Sequence, residues 1–382
     1  MRRVLILACA IVMVDTMLYA ALTPLLPEYA DDFGLSKGAA GLLVAAYAFG
    51  VLLGALPAGL AAARFGARAA VLTGLVLVSL ASLGFGFASD PLALGLARLG
   101  QGLGSALSWA GALAWVIGRA PRERRGEVLG TALAAAVFGA LLGPIVGAFA
   151  GVVGAPLAFG SLAALGGALF VAAWRTDGPA PESATLRSVR GALREPLFLG
   201  GLWLVILPSL LFGVLMVLVP LELGDAGWGA TAVGAVFLSA AALEMFLGPL
   251  AGRLSDRRGR LLPVRFGLVA SALVSLALAF AGRPALLACL VLVASLSYGI
   301  FYAPGMALIA DGADEQGLAQ ALAFGVMNAA WALGNVVGPA TGGGLADVAG
   351  DAVPFTILAA LCLATLALSG RLRPTPAWVA SL

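Results

Sequence analysis

Three fully ionisable side chains interrupt otherwise apolar stretches of this sequence: Asp15, Arg98 and Glu244. A charge at the centre of a membrane-spanning helix costs at least ~2.5 kcal/mol, so each is a candidate for proton or ion chemistry. An embedded carboxyl can load and release a proton as its surroundings change, and it can pair with a cationic ligand. Asp15 lies about 16 Å along its helix from the start of the run, at about 1.5 Å per residue, and Tyr19 follows one turn later on the same face. Arg98, Gln101, Ser105 and Trp109 share a helix face by their spacing. Arg98 is expected to act on Asp15 from there, with outward snorkelling as its competing role. For Glu244 the competing role is a structural pair to a backbone donor or an arginine. Glu127 and Glu222 sit at the ends of their runs, where solvation accounts for them.

Polar and aromatic side chains repeat at helical spacing. Ser295, Tyr298 and Tyr302 form one set, and Asn328, Trp331 and Asn335 another. Each set covers two turns and is expected to project one way. With Tyr19, Tyr47, Gln101, Trp109, Phe212 and Met216 they are expected to line an amphipathic substrate cavity. Aromatic faces suit cationic or aromatic ligands through cation–π attraction. Packing or lipid contact is the competing role of any one aromatic.

Other chemistries are excluded. There is no histidine, hence no His nucleophile relay or His metal site. Cys9, Cys289 and Cys362 each sit in an apolar run, as a small hydrophobe does. No Walker-type phosphate loop, metal-ligand cluster or nucleophile–base pair is visible. No cofactor, metal, nucleic-acid partner or enzymatic activity is expected.

The elements that must position these groups are membrane helices. Of 382 residues, 62% are hydrophobic and 11% charged, and the mean hydropathy is +1.05. A soluble chain could not cover that much apolar surface. Twelve apolar stretches are marked off, near 4–27, 39–63, 69–88, 91–118, 125–150, 155–174, 196–220, 230–253, 261–281, 284–310, 317–344 and 352–370. They are too long and too continuously apolar for barrel strands, so helices are expected. With the amino terminus in the cytoplasm, nineteen arginines fall on the inner segments and only Lys37 and Arg283 on the outer ones. The positive-inside rule then predicts both termini in the cytoplasm. A polar connection, 175–195, separates a bundle at 1–174 from a second at 196–382. A shift of 193 residues carries Pro27 onto Pro220, Gly59 onto Gly252 and Gly66 onto Gly259, and a shift of 195 carries Gly143-Pro144 onto Gly338-Pro339. Two six-helix repeats are the plan of a secondary transporter, with its substrate site at mid-membrane.

The motifs resemble the major facilitator superfamily, in particular its twelve-span drug:proton antiporter branch, along essentially the whole chain. The run from Gly252 through Asp256, Arg257 and Arg258 to Gly259 and Arg260 is similar to the superfamily's loop signature. The first copy, with Gly59, Arg64, Gly66 and Arg68, has Ala63 where the family has Asp. Arg98-Leu-Gly-Gln101-Gly102 resembles the motif tied to proton coupling. Gly139-x-x-x-Gly143-Pro144-x-x-Gly147, repeated at Gly334, Gly338 and Pro339, resembles the antiporter motif. Asp15 to Pro27 resembles the first-helix signature of the same antiporters. The resemblance implies an all-α major facilitator fold of two pseudo-symmetric six-helix bundles. It implies coupling through Asp15 and Arg98, beside which Glu244 is the second acid inside a span, and conformational roles for Arg64, Arg68, Gly143, Pro144, Asp256, Arg257, Gly338 and Pro339.

The resulting expectation is a proton-coupled antiporter that exports a small amphipathic or cationic compound by alternating access. It would work as a monomer in a bacterial inner membrane, with protons, a small-molecule substrate and the lipid bilayer as its partners. The alternatives are the same fold exporting a sugar, an amino-acid-like metabolite or a lysolipid, or a non-transporting membrane sensor or scaffold.

Overall fold

The computed structural model describes residues 2–120, 125–178, 187–258, 261–316, 318 and 320–369; side chains at 125–127, 129, 187–188, 246–258, 261, 314, 320, 321 and 324 are also outside the description. Among the described residues there is helix and no strand. The helices are α1 (Arg2–Ala20), α2 (Leu26–Phe33), α3 (Lys37–Phe65), α4 (Ala67–Gly86), α5 (Pro91–Arg119), α6 (Arg125–Val153) and α7 (Ala155–Trp174). The short α8 (Arg187–Ala192) precedes α9 (Pro196–Asp225), α10 (Ala230–Arg258), α11 (Leu261–Ala279), α12 (Pro284–Gly299), α13 (Tyr302–Glu315), α14 (Gln320–Ala349) and α15 (Ala352–Ser369). Every apolar stretch read from the sequence is occupied by helix. Nine helical runs among the described residues are long and apolar enough to cross a membrane. The 193-residue shift carries α3 onto α10 end for end, Lys37 to Ala230 and Phe65 to Arg258.

Two expected spans are broken, and prolines explain both. The first stops at Ala20 and passes through a 3₁₀ turn at Thr23–Leu25 before α2. Pro24 has no N–H to offer the Ala20 carbonyl. The tenth expected span stops at Gly299 and restarts at Tyr302, where Pro304 likewise cannot donate to Ile300. The expected connection at 175–195 contains α8, whose Val189 and Ala192 are buried with Phe198, Leu202 and Ile309.

The glycine–proline motifs sit where helices cross closely. Gly143 on α6 faces α1, and a Cβ there would run into Ala20 and the Met17 carbonyl. Gly338 on α14 faces α9 in the same way, against Leu210 and Gly213. Small residues let backbones approach in the absence of a hydrophobic drive between helices. Gly143→Val is expected to destabilise the chain by roughly 1–3 kcal/mol through overpacking. Gly160→Ala, at a position open to 4 Å, is expected to leave the detergent unfolding temperature unchanged. Equal stability of the two variants would show that the α1–α6 crossing tolerates a side chain.

Candidate functional site

The two sets of helices meet at the end of the molecule away from the start of α1 and the end of α15. There α3 lies along α14, α2 packs on α9 through Pro27 against Gly224, and α10 meets α6 where Gly234 abuts Ala148. Between them a cavity of about 1110 Å³ runs toward the opposite end, where α1 starts and α15 ends and where Pro263, Met306 and Met327 line it.

Asp15 lines this cavity yet is only 2% exposed. Ser108 Oγ donates to Asp15 Oδ2 at 2.7 Å, and the Tyr47 hydroxyl donates to the Asp15 carbonyl at 3.2 Å. Ser108 was absent from the sequence expectation; it lies ten residues after Arg98 on α5, on the side facing α1. Glu244 lines the other part of the cavity, beside Gly299 at the break between α12 and α13. Among the described residues it has no ion pair or hydrogen bond.

The inner wall of the cavity is aromatic and crosses between the helix sets. Tyr19 packs on Tyr47 (centroids 5.4 Å apart) and on Trp331 (5.1 Å). The Tyr19 hydroxyl donates to Asn335 Oδ1 at 2.6 Å and lies 3.8 Å from Met216 Sδ. Asn335 is held by its own donation to the Trp331 carbonyl at 3.0 Å. Trp109, Phe212, Tyr302 and Asn328 also line the space, and Tyr302 shares a 3.2 Å hydrogen bond with Ser209.

Two expected cavity residues do not reach it. Tyr298 is 0% exposed, pairs with Ser275 at 2.8 Å and stands edge-on to Phe212. The break at Gly299 separates its face from that of Tyr302, so the set expected to project one way is split. Gln101 is 0% exposed and donates to Ser82 at 3.2 Å; a partner on α4 turns it into the bundle.

Arg98 does not pair directly with Asp15, because its guanidinium is spent on the broken end of α1. It donates to the Leu18 carbonyl at 2.8 Å, the Tyr19 carbonyl at 3.1 Å and Gln101 Oε1 at 3.0 Å. These carbonyls lie in the last turn of α1, where helical donors run out, and a cation suits that negative end. The charge also lies 4.8 Å from the Tyr47 ring centroid. Arg98 therefore holds Tyr19 from its backbone and Tyr47 from its ring face.

Arg64 lies against Phe65, 5.6 Å from its ring centroid. Arg68 donates to the Trp174 carbonyl and lies 5.5 Å from the centroid of that indole. Trp115 and Arg119 both donate to the Asp177 carbonyl, at 3.0 and 2.6 Å. Arg68 thus belongs to a clasp on the chain leaving α7. Pro144 lines the cavity and Pro339 lies beside Gly213. The Asp256 and Arg257 side chains lie outside the described residues, as do 370–382.

The Major Facilitator Superfamily profile matches residues 7–324 and again 209–380. The chain belongs to that superfamily. It is a multi-pass membrane protein of a transporter family, not an enzyme. Among superfamily relatives, it is 29% identical over 335 residues to a chloramphenicol resistance protein of Streptomyces lividans, covering 83% of this chain and 82% of that one. It is 33% identical over 192 residues to a probable vesicular acetylcholine transporter-B of Danio rerio, covering 47% of this chain but 39% of that protein. The chain thus spans well under half of that vesicular relative. In fold it is similar to a bacterial homologue of the human lysosomal transporter Spinster, inward-facing and unoccupied, with a TM-score of 0.80 at 16% identity over 96% of each chain. It is also similar to the E. coli xylose transporter XylE in a partially occluded inward-open state, with a TM-score of 0.77 at 16% identity over 98% and 99% of the two chains.

Arg98→Ala is expected to strand the buried Leu18 and Tyr19 carbonyls, at ~1–3 kcal/mol for each unsatisfied group. Lysine keeps the charge without the planar fork, so Arg98→Lys is expected to fall between. Thermal unfolding of the three proteins in detergent measures this. Wild-type stability in the alanine variant would remove Arg98 from its place at the α1 break.

Proposed function

We propose that this chain is a proton-coupled antiporter of the drug:proton branch, exporting a small amphipathic or cationic compound. The observation that carries the reading is one aromatic-walled cavity containing two carboxyl groups, Asp15 and Glu244. A buried carboxylate can be neutralised by a proton or by a cation, and not fully by both. Competition for Asp15 makes loading of one ligand release the other, which is the condition for exchange. Tyr19, Tyr47 and Trp331 offer ring faces to a cation or an aromatic body beside it. Arg98 acts by keeping Tyr19 and Tyr47 in place. Two relatives, one named for chloramphenicol resistance and one for acetylcholine transport, are consistent with such cargo.

The arginine distribution supports an inner-membrane orientation with both termini in the cytoplasm. In that orientation the cavity runs toward the cytoplasm and the closed end faces outward. We take bundles at 1–174 and 196–382, joined by 175–195, as the parts that rock about the cavity, within a monomer.

Asp15→Asn is expected to abolish exchange driven by an imposed pH gradient in proteoliposomes while insertion and folding are kept. Glu244→Gln is expected to weaken coupling and leave downhill substrate movement. Wild-type coupled flux in the Asp15 variant would reject its role. Absence of substrate-dependent proton movement by the wild type across a broad cationic, aromatic, sugar and lysolipid panel would reject antiport itself.

A further inference from the structure

The two helix breaks at membrane depth are met differently. At the end of α1 the Leu18 and Tyr19 carbonyls receive the Arg98 guanidinium. Beyond the end of α12 the Ile300 carbonyl has lost its helical donor, because Pro304 has no N–H. The group beside this second break is not a cation but a carboxylic acid. A Cβ built on Gly299 would run into Glu244 Oε1, so the glycine leaves the room that the carboxyl fills. Glu244, Gly299, Ile300 and Tyr302 all line the cavity. The last carbonyls of a helix carry the negative end of its dipole, and an ionised Glu244 adds a full charge beside them. The second break thus lacks the counter-ion that the first one has.

No described side chain supplies it. Among the described residues the cavity lining holds two carboxyls and no arginine or lysine. Arg98 is buried, and its two terminal nitrogens donate to Leu18, Tyr19 and Gln101. Arg265 on α11 is exposed and forms no ion pair among the described residues. Asp311 and Glu315 lie on the far part of α13, Glu222 and Asp225 at the end of α9, Arg283 before α12, and Arg125 and Glu127 at the start of α6. On α10 itself the next arginine is Arg253, nine residues on, or about 13.5 Å along the axis. The titratable groups around Asp15 are Tyr19 and Tyr47, with Arg98 against the Tyr47 ring.

We propose that Glu244 and the break at Gly299 form a second cation seat, so that the cavity takes a dicationic amphiphile: two ammonium-type heads joined by an apolar chain, one head at Asp15 and the other at Glu244. The first of these seats rests on the exchange reading given above. A carboxyl neutralised by a cationic head favours its ionised form and gives up its proton. A cargo with one charge then exchanges for one proton and a cargo with two charges for two, and the net charge of the cavity is the same before and after. The four methionines of α9 to α14, Met216, Met245, Met306 and Met327, all line the cavity. Their unbranched thioethers give the connecting chain an adaptable apolar wall.

Bis-quaternary ammonium alkanes of increasing chain length, compared with their mono-quaternary counterparts, test this, because neither kind of probe carries a proton of its own. Isothermal titration of the full chain in lipid nanodiscs, with empty nanodiscs subtracted and in two buffers of different ionisation enthalpy, counts the protons released per bound probe. The count is taken at the pH of greatest release. The wild type is expected to release about one proton for a mono-quaternary probe and about two for a bis-quaternary one. At one optimal chain length the bis-quaternary probe is expected to bind about tenfold tighter than its counterpart, the scale of one added charged contact. Glu244→Gln is expected to bring the bis-quaternary count down to about one and to remove the optimum. Gly299→Ala keeps the carboxyl but takes its place beside the break, and is expected to weaken the bis-quaternary probe more than the mono-quaternary one. Equal counts for the two kinds of probe, or a bis-quaternary count that Glu244→Gln leaves unchanged, overturns the proposal. The measurement needs no transport. One proton from the mono-quaternary probe and no second from any bis-quaternary one rejects the second seat and leaves the exchange reading standing, whereas no proton from either rejects both. Unfolding temperature confirms that the variants compared are folded.

Discussion

The hydrogen bonds from Arg98 to the broken end of α1 are the constraint on which the site rests. A helix interrupted at membrane depth must find partners for its last carbonyls, because no water is there to take them. Arg98 provides two of those partners from a buried guanidinium. Its third bond, to Gln101, continues to Ser82 on α4, so α1, α4 and α5 are tied at one level. Tyr19 and Tyr47 inherit their positions from this knot. Through the Tyr47 hydroxyl the same knot reaches the backbone of Asp15. A residue whose sequence context points to proton coupling is, in geometry, the support of the aromatic groups beside Asp15.

The breaks are not symmetric. In the first set the interruption falls in α1; its counterpart α9 runs unbroken from Pro196 to Asp225 despite Pro208 and Pro220. In the second set it falls between α12 and α13, opposite an unbroken α5. Each break lies beside one of the two cavity carboxyls: Ala20 is five residues beyond Asp15, and Gly299 touches Glu244. A repeated architecture thus presents its two acids from different helices and at different local backbones. The glycine crossings of α6 on α1 and of α14 on α9 keep the repeat.

Much of the architecture was legible in the chain. Helical spans follow from long apolar runs, and their ends from charges, glycines and prolines, so α3, α5 and α7 begin and end within two residues of expectation. The cavity acids were legible because a charge in hydrocarbon needs a reason. What sequence could not show was the partner of each polar group. Gln101 and Tyr298 have the spacing of cavity residues, and only contacts with Ser82 and Ser275 on neighbouring helices turn them away. Ser108 carried no signal, since serine is common on buried helix faces. Pro24 and Pro304 were in view, but a proline kinks some helices and breaks others, and the surroundings decide which.

The clasp on the chain leaving α7 has a consequence for how far the molecule can move. Trp174 is held by Arg68 and Asp177 by Trp115 and Arg119, and Gly178 rests against Arg68. On the other side, α8 is seated by Val189 and Ala192 against α9 and α13. The connection between the bundles is therefore shorter than its polar composition suggests. From 178 to 187 there are nine backbone steps, which reach at most about 32 Å at ~3.6 Å each. The length of chain between these two anchored ends sets a ceiling on how far apart they can lie, at the end where the cavity is open.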